Sequence, residues 1–228
     1  MVTKNTPVKL FDAHAHVLSK NVTHNVCLTA ANPDEWNLIA DQRECVFSIG
    51  FGHHPWYAHK NLCSSKLIDL LYAHPNSFVG EIGLDRTPKH KNTIEAQITI
   101  FTTQLKIAHD LLRPVAIHLV KASALGYDII HKNYGPTVYL HGYICSIEEL
   151  QRYPRAFFGF HERMHSNTRA QQMVQNLSLQ QILIESDGVS DISSLEKTIL
   201  WIANIKNISP YLVQEHTHQN TLRWLSID

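Results

Sequence analysis

The sequence predicts an α/β protein folded as a TIM-type (β/α)8 barrel, and two observations indicate this fold. Short apolar runs rich in β-branched and aromatic residues alternate with longer segments of helical periodicity, which is typical of repeated βα units around a parallel sheet. There are eight such runs, the number of strands in a closed barrel of this kind. The 228 residues, of which 44% are hydrophobic, suffice for one sizeable core, so we expect a single domain over residues 1–228.

Each predicted strand is a run of five or six residues in which β-branched and aromatic side chains favour extended structure. In chain order the strands are VKLFD (8–12), NVCLTA (25–30), CVFSIG (45–50), SFVGEI (77–82), PVAIH (114–118), TVYLH (137–141), AFFGF (156–160) and QILIE (181–185).

The segments between the strands predict helices. The clearest covers 93–112, where apolar side chains recur at helical spacing, namely Ile94, Ile98, Phe101, Leu105 and Ala108. The other predicted helices cover 33–41, 65–73, 121–133, 146–152, 167–176 and 193–206. After the last strand the chain reads as helices only, including PYLVQEHTHQNTLRWL.

Composition and charge narrow the function classes. Lys plus Arg and Asp plus Glu number 20 each, so no overall basic field attracts long nucleic acid, and any affinity for phosphate must be local. The N-terminal MVTKNTPVKL lacks the apolar segment of a signal peptide, and no apolar run approaches the roughly 18 residues of a membrane span. We therefore expect a cytoplasmic monomer with no membrane contact, no protein partner and four free cysteines.

Two pairs of histidines have the H-x-H spacing that can bind a metal. Because 16 of the 228 residues are histidine, about one such pair is expected by chance, so the spacing alone indicates nothing. Side chains at i and i+2 share a face only on an extended backbone. His14 and His16 follow a predicted strand, whereas His216 and His218 lie in a predicted helix, where we expect exposed histidines without metal.

Six potential metal ligands lie at the carboxyl ends of five predicted strands. They are His14, His16, Glu81, His118, His141 and Asp187. In a closed βα barrel these strand ends meet on one face, where such enzymes build their sites. Imidazoles with carboxylates suit zinc, manganese and similar divalent ions, and a bridging Glu81 would allow two of them. Asp187 could both bind a metal and take the proton from an attacking water.

Each ligand also has a purely structural interpretation. His118 and His141 could be hydrogen-bonded core histidines at the ends of apolar strands. Glu81 could be a buried carboxylate paired with a lysine, and Asp187 a loop or capping residue. All of these interpretations must hold together to remove the site, which favours the shared metal centre.

At these residues the sequence resembles the TatD-like family of metal-dependent hydrolases, within the amidohydrolase superfamily. The matching segments follow in order along the chain: FDAHAH (11–16), SIGFGHHPW (48–56), VGEIGLD (79–85), QITIFTTQLKIAHDLLRPVAIH (97–118), LHGY (140–143), ILIESD (182–187) and THQN (217–220). The segment GEIGLD and the helix before PVAIH are specific to the family.

The resemblance implies a TIM-type barrel and divalent-metal-dependent hydrolysis, most often of DNA from its 3′ end. It implies one or two ions of Zn, Mn, Mg, Ni or Co, with His14, His16 and Asp187 on one and His118 and His141 on the other. Glu81 would bridge them and act with Asp187 as a catalytic residue. Related phosphotriesterase-like enzymes bridge with a carboxylated lysine from the fourth strand, so a glutamate there favours the TatD branch.

The presumed substrate surface departs from the family pattern. After PVAIH the family has a small residue, an arginine and an acidic residue, whereas Leu119, Val120 and Lys121 follow here. The tyrosine that the family has after GLD is replaced by Arg86. We expect Lys121 or Arg86 to supply the missing charge near a phosphate.

Two residues after the third strand are further candidates for substrate contact. His54 precedes a proline, as a histidine often does in the family, and would reach substrate or solvent near the metals. Trp56 could stack a nucleobase. The alternatives are a loop histidine fixed by the proline turn and a tryptophan packed on the barrel rim.

Three functions remain open at this stage. The leading hypothesis is a metal-dependent phosphodiesterase, a deoxyribonuclease of 3′–5′ exonuclease type acting on short or single-stranded DNA or a nucleotide. The second is a metal-dependent hydrolase of a small ester, lactone or amide, suggested by the missing arginine and the neutral net charge. The third is an inactive metal-binding barrel that acts by binding a partner.

Overall fold

The structure, a computed structural model, describes residues 9–135 and 137–226 and contains eight parallel strands in chain order around a nearly closed barrel. The strands are β1 (Phe11–Ala15), β2 (Asn25–Thr29), β3 (Ser48–Phe51), β4 (Phe78–Asp85), β5 (Val115–Val120), β6 (Tyr139–Leu140), β7 (Phe157–Phe160) and β8 (Ile182–Ile184). All eight lie at the predicted places, which confirms the α/β barrel.

The strand ends differ from the prediction where polar residues interrupt the apolar pattern. β1 was expected over 8–12, of which residue 8 lies outside the described residues, but it continues to Ala15, and β4 continues to Asp85 rather than ending at 82. The backbone of β4 keeps its parallel pairing with β5 through Gly83 and Asp85. Consequently His14 lies within β1 rather than after it, and Glu81 lies in the middle of β4 rather than at its end.

Helices alternate with the strands as predicted, each within a few residues of the expected bounds. They are α1 (Trp36–Ala40), α2 (Ser64–Ala73), α3 (Ile94–Asp110), α4 (Ser123–Asn133), α5 (Ile147–Leu150), α6 (Thr168–Asn176), α7 (Ile192–Lys206) and α8 (Pro210–Leu225). Side chains of Asn167, Asp191 and Ser209 accept backbone N–H groups at the starts of the last three, which fixes where these helices begin. No helix among the described residues is long and apolar enough to cross a bilayer.

The apolar stripe of α3 is accompanied by two buried glutamines that position loops above the barrel. The side-chain oxygen of Gln97 accepts the backbone N–H of Asp85 at 2.8 Å, and that of Gln104 accepts the backbone N–H of His53 at 2.8 Å. Both glutamines are almost fully buried. The hydrogen bonds of these two glutamines therefore fix the ends of β3 and β4 relative to α3.

β1 and β8 close the barrel through their following loops. The His16 N–H donates to the Gly188 carbonyl at 2.8 Å, and the Asp187 N–H donates to the His14 carbonyl at 3.0 Å. The buried Asp12 carboxylate accepts the Ser186 N–H at 2.9 Å. These contacts place the predicted ligands that follow β8 next to those of β1, so that Asp187 lies beside His14 and His16.

A second apolar cluster forms the floor beneath the site. Trp224 of α8 packs against Phe78 and Tyr139, with ring centroids 4.9 and 4.7 Å apart. Tyr139 belongs to β6, and His141 directly follows the end of that strand. The indole N–H of Trp224 donates to the Val115 carbonyl at 3.1 Å. The last helix thus supports the strands that carry the site.

Candidate metal centre

Four predicted histidines converge on the two oxygens of Glu81. His118 Nδ1 and His141 Nε2 each lie 2.8 Å from Oε1. His14 Nε2 and His16 Nε2 each lie 3.4 Å from Oε2. One carboxylate oxygen therefore faces each histidine pair, which is the arrangement that a bridging ligand between two ions needs.

Asp187 lies at the edge of this cluster. Its Oδ1 is 4.0 Å from His141 Nδ1, and its side chain is 22% exposed. Ligand atoms of Asp187, His14 and His141 lie within 4.8 Å of one another, as do those of His14, His16 and Glu81. The family resemblance implies that Asp187 shares an ion with His14 and His16, whereas the structure groups its ligand atoms with those of His14 and His141.

Local backbone features explain how the ligands come together. His14 and His16 share a face at the end of β1, and Thr29 of the neighbouring strand contacts both: its carbonyl lies 3.0 Å from His16 Nδ1 and its hydroxyl 3.4 Å from His14 Nδ1. Gly83 has φ +148, and a Cβ there would lie 1.9 Å from the His118 carbonyl oxygen. Only glycine allows β4 to approach β5 so closely beside Glu81.

Two buried carboxylates that sequence reasoning missed stand behind the second histidine pair. Asp85 Oδ2 lies 3.4 Å from His118 Nε2, and Glu185 Oε1 lies 3.4 Å from His141 Nδ1. Such carboxylates fix the ring orientation of metal-binding histidines and raise their basicity. Glu185 ends the predicted strand 181–185 and so had the same signal as the six ligands, whereas Asp85 lies three residues beyond the predicted end of its strand.

Glu185 is held by its own set of partners. Its Oε1 accepts the Gly142 N–H at 2.9 Å, and its Oε2 accepts the Tyr139 hydroxyl. A Cβ at Gly159 would lie 2.0 Å from Oε2, so any larger residue on β7 would collide with the carboxylate. Burial raises the pKa of Glu185, but the neighbouring His141, together with His161 and His14, outweighs this and holds the pKa below its usual range.

The electrostatics of the cluster are mixed. Burial alone raises the pKa of Glu81, yet His54 and His141 hold it well below its usual range, so Glu81 is anionic. Burial lowers the pKa of His14, and it lowers the pKa of His54 to about 4, so both are neutral. Burial also acts on His16, His118 and His141, but the contacts with Glu81, and for His118 with Asp85, outweigh it and raise the pKa of all three imidazoles. Metal binding at these three rings therefore displaces protons.

Of the four residues predicted to contact substrate, one reaches the metal centre, one lies beside it, and two lie away from it. His54 reaches the centre itself, with Nε2 3.0 Å from Glu81 Oε1. Trp56 is half exposed on the wall, donates its indole N–H to Asp85 at 2.6 Å and stacks on His90. Arg86 and Lys121 are exposed on the surface, and neither lines the pocket above the centre.

That pocket has a volume of about 730 Å³ and opens above the ligands. Its upper walls are largely apolar, with Val17, Leu38 and Trp56 exposed at the rim. Glu81, His118 and other ligands lie at its base. Pockets of this size and character accommodate small molecules or a few nucleotides.

The loop after β7 contributes two residues that the sequence analysis did not select. His161 Nε2 lies 3.6 Å from Asp187 Oδ2, and the Arg163 guanidinium pairs with the same oxygen. His161 directly follows a predicted strand and satisfied the strand-end criterion, whereas nothing in the sequence singled out Arg163.

The other H-x-H pair of the sequence, His216 and His218, lies outside the metal centre. His216 and His218 are on α8, as predicted, although both are half-buried rather than exposed. His218 Nδ1 lies 2.8 Å from the Lys9 carbonyl oxygen. Neither belongs to a metal-capable cluster of the described chain.

Comparison with known proteins gives consistent results. A family model described as TatD related DNase matches residues 11–226. The chain is 25% identical to tatdn3 of Danio rerio over 171 residues, which is 65% of this chain and 61% of that protein. It is 30% identical over 149 residues to the human 3'-5' RNA nuclease TATDN2, which is 60% of this chain and 19% of that protein. The chain thus spans less than two thirds of the length of either relative.

Solved structures share the fold over nearly the whole chain. YjjV, a TatD homologue from Escherichia coli, superposes with a TM-score of 0.84 at 16% identity, covering 98% of this chain and 100% of that one. A hydrolase of the TatD family from Entamoeba histolytica gives 0.81 at 12% identity, covering 96% and 98%. With the family model matching from β1 to the end of α8, the chain belongs to the TatD-related DNase family.

Proposed function

We propose that this chain is a divalent-metal-dependent nuclease that hydrolyses phosphodiester bonds. The observation that carries the proposal is the set of imidazoles around Glu81. Its Oε2 lies 3.4 Å from His14 and His16, and its Oε1 lies 2.8 Å from His118 and His141 and 3.0 Å from His54. Five imidazoles around one buried carboxylate are typical of a metal site rather than of a single structural ion pair.

The donor set fits two divalent ions. His118 and His141 would hold one, and His14 and His16 the other, with Glu81 bridging. Asp187 would complete a ligand set with His14 and His141, and His54 lies close enough to Glu81 and His118 to be a further ligand. When bound, such ions lower the pKa of a water and polarise a phosphoryl oxygen. Nitrogen and carboxylate donors suit zinc and manganese, and among the candidate ions Mg is the least suited to four imidazoles.

The chain's own residues supply orientation and proton transfer. Asp187 is the partly exposed carboxylate at the pocket base, and we assign it the role of accepting the proton of the attacking water. Asp85 and Glu185 hold the rings of His118 and His141.

For the substrate we propose a single-stranded nucleic acid end, most simply DNA. DNA is chosen because the family model is described as TatD related DNase. RNA should be tested beside it, because one relative is named as a 3'-5' RNA nuclease. Trp56 offers a half-exposed ring for base stacking at the pocket wall. The apolar rim also favours a second candidate, hydrolysis of a small apolar ester, lactone or amide. The cytoplasmic location and monomeric state stay predictions from the sequence.

The test is degradation of 5′-labelled single-stranded DNA and RNA with added Mn²⁺ or Zn²⁺, with and without chelator. We expect metal-dependent shortening from the 3′ end, and loss of turnover in Asp187→Asn with metal still bound. Hydrolysis of p-nitrophenyl esters but of no nucleic acid would favour the second candidate. Bound metal without any hydrolysis would favour the inactive, partner-binding barrel and overturn the proposal.

A further inference from the structure

Arg163 is the one permanent cation among the described residues that line the pocket. The Arg86 and Lys121 side chains, which the sequence offered as phosphate contacts, are exposed outside that lining. The carboxylates of Glu35, Glu81 and Asp187 line the same pocket, and bound ions at the centre would offset those of Glu81 and Asp187. Arg163 is the residue of the lining that adds a positive charge beyond the ions.

The position of Arg163 fits this task. It follows β7, four strands away from β3 in an eight-stranded barrel, so it stands across the pocket mouth from Trp56. Its Nη2 donates to the Asp187 carbonyl at 2.7 Å and also to the Asp187 carboxylate, and its Nη1 donates to the Ser186 carbonyl at 3.4 Å. These contacts fix the guanidinium, while 59% of the side chain stays exposed.

A guanidinium has five N–H donors in one plane, and a phosphate can accept two of them at once. Three contacts to the loop at 186–187 use Nη1 and Nη2 on one side of the group. A phosphodiester that reacts with water activated at Asp187 must lie beside that carboxylate. Its non-bridging oxygens would then lie next to the guanidinium that Asp187 already holds.

We propose that Arg163 is the phosphate-binding residue of this chain and selects anionic substrates. This inference rests on the proposed function, because it names the residue by which the same site prefers anionic over neutral substrates. From the loop after β7, two strands along from β5, Arg163 takes over the role for which the sequence offers no arginine after His118.

The first test measures binding of thymidine 5′-monophosphate and of uncharged thymidine by calorimetry, with full-length protein saturated with Mn²⁺. In Arg163→Met we expect the monophosphate to bind at least about tenfold more weakly and thymidine to bind as before, since a charge-assisted hydrogen bond is lost. Arg163→Lys keeps the charge without the planar fork and should fall between. Arg169→Met, an exposed arginine on α6, is the matched control and should behave as wild type.

The second test compares kcat/KM for bis(p-nitrophenyl) phosphate and for neutral p-nitrophenyl acetate. We expect Arg163→Met to lower only the first. Unchanged monophosphate binding, or equal losses on charged and neutral substrates, or a weakened affinity for Mn²⁺, would show that Arg163 merely holds Asp187 and would overturn the inference. If wild type hydrolyses no phosphodiester, the proposed function fails, and the binding measurement still decides the role of Arg163.

Discussion

Glu185 does not line the pocket in which substrate would bind, yet its substitution is predicted to weaken metal binding. In Glu185→Gln the side chain keeps its shape and an oxygen for the Gly142 N–H, but it loses the charge that faces His141 Nδ1 at 3.4 Å. It also places an amide where the Tyr139 hydroxyl now donates. Loss of such a carboxylate behind a histidine ligand lowers metal affinity about 10–100-fold, which corresponds to about 1.4–2.8 kcal/mol.

The assay is titration of the metal-free protein with Mn²⁺, followed by calorimetry, with unfolding temperature measured in parallel. Glu196→Gln, an exposed change on α7, is the matched control and should leave the affinity unaltered. If Glu185→Gln folds normally and binds Mn²⁺ as tightly as wild type, Glu185 does not orient His141 and the reasoning fails. Buried carboxylates of this chain would then serve the barrel rather than the metal.

The remaining predictions concern packing and metal linkage. Gly159→Ala should destabilise the fold by about 1–3 kcal/mol, because its Cβ would lie 2.0 Å from Glu185 Oε2; an unfolding curve equal to that of wild type would refute this. Trp224→Ala should cost about 3–5 kcal/mol in denaturant unfolding, since a buried indole and its hydrogen bond to Val115 are lost; a loss below 1 kcal/mol would show that α8 does not support the floor. Mn²⁺ at about 100 times its Kd should stabilise wild type by about 2.7 kcal/mol and should stabilise Glu81→Gln much less; equal stabilisation would place the metal elsewhere.

The strands were predictable because parallel strands covered on both sides carry continuous apolar runs. All eight residues of β4 are buried, and its Phe, Val, Ile and Leu residues marked it clearly. The ends were harder to place, since Asp12 and His14 on β1 interrupt the apolar pattern for the sake of the site. Propensity cannot foresee a polar residue that is retained because tertiary partners satisfy it.

The site was predictable to the extent that its ligands lie at the carboxyl ends of predicted strands, which is the strand-end rule used for their selection. That rule selected the four histidines and Glu81, which the structure brings within contact distance. It could not identify Arg163, because an exposed loop arginine has no pattern, and only the fold places it against Asp187. Asp85 and Glu185 were missed for a related reason: a supporting carboxylate is recognised by the histidine behind which it lies.

Anomalous X-ray diffraction from crystals grown with Mn²⁺ shows most directly whether Glu81 bridges two divalent ions. We expect two anomalous peaks, one beside Glu81 Oε1 with His118 and His141, and one beside Oε2 with His14 and His16. A pair of ions separated by about 3.5–4 Å would match metal-assisted hydrolysis of a phosphodiester. No peak at Glu81, or a single ion that leaves one histidine pair without metal, would contradict a two-metal centre bridged by Glu81.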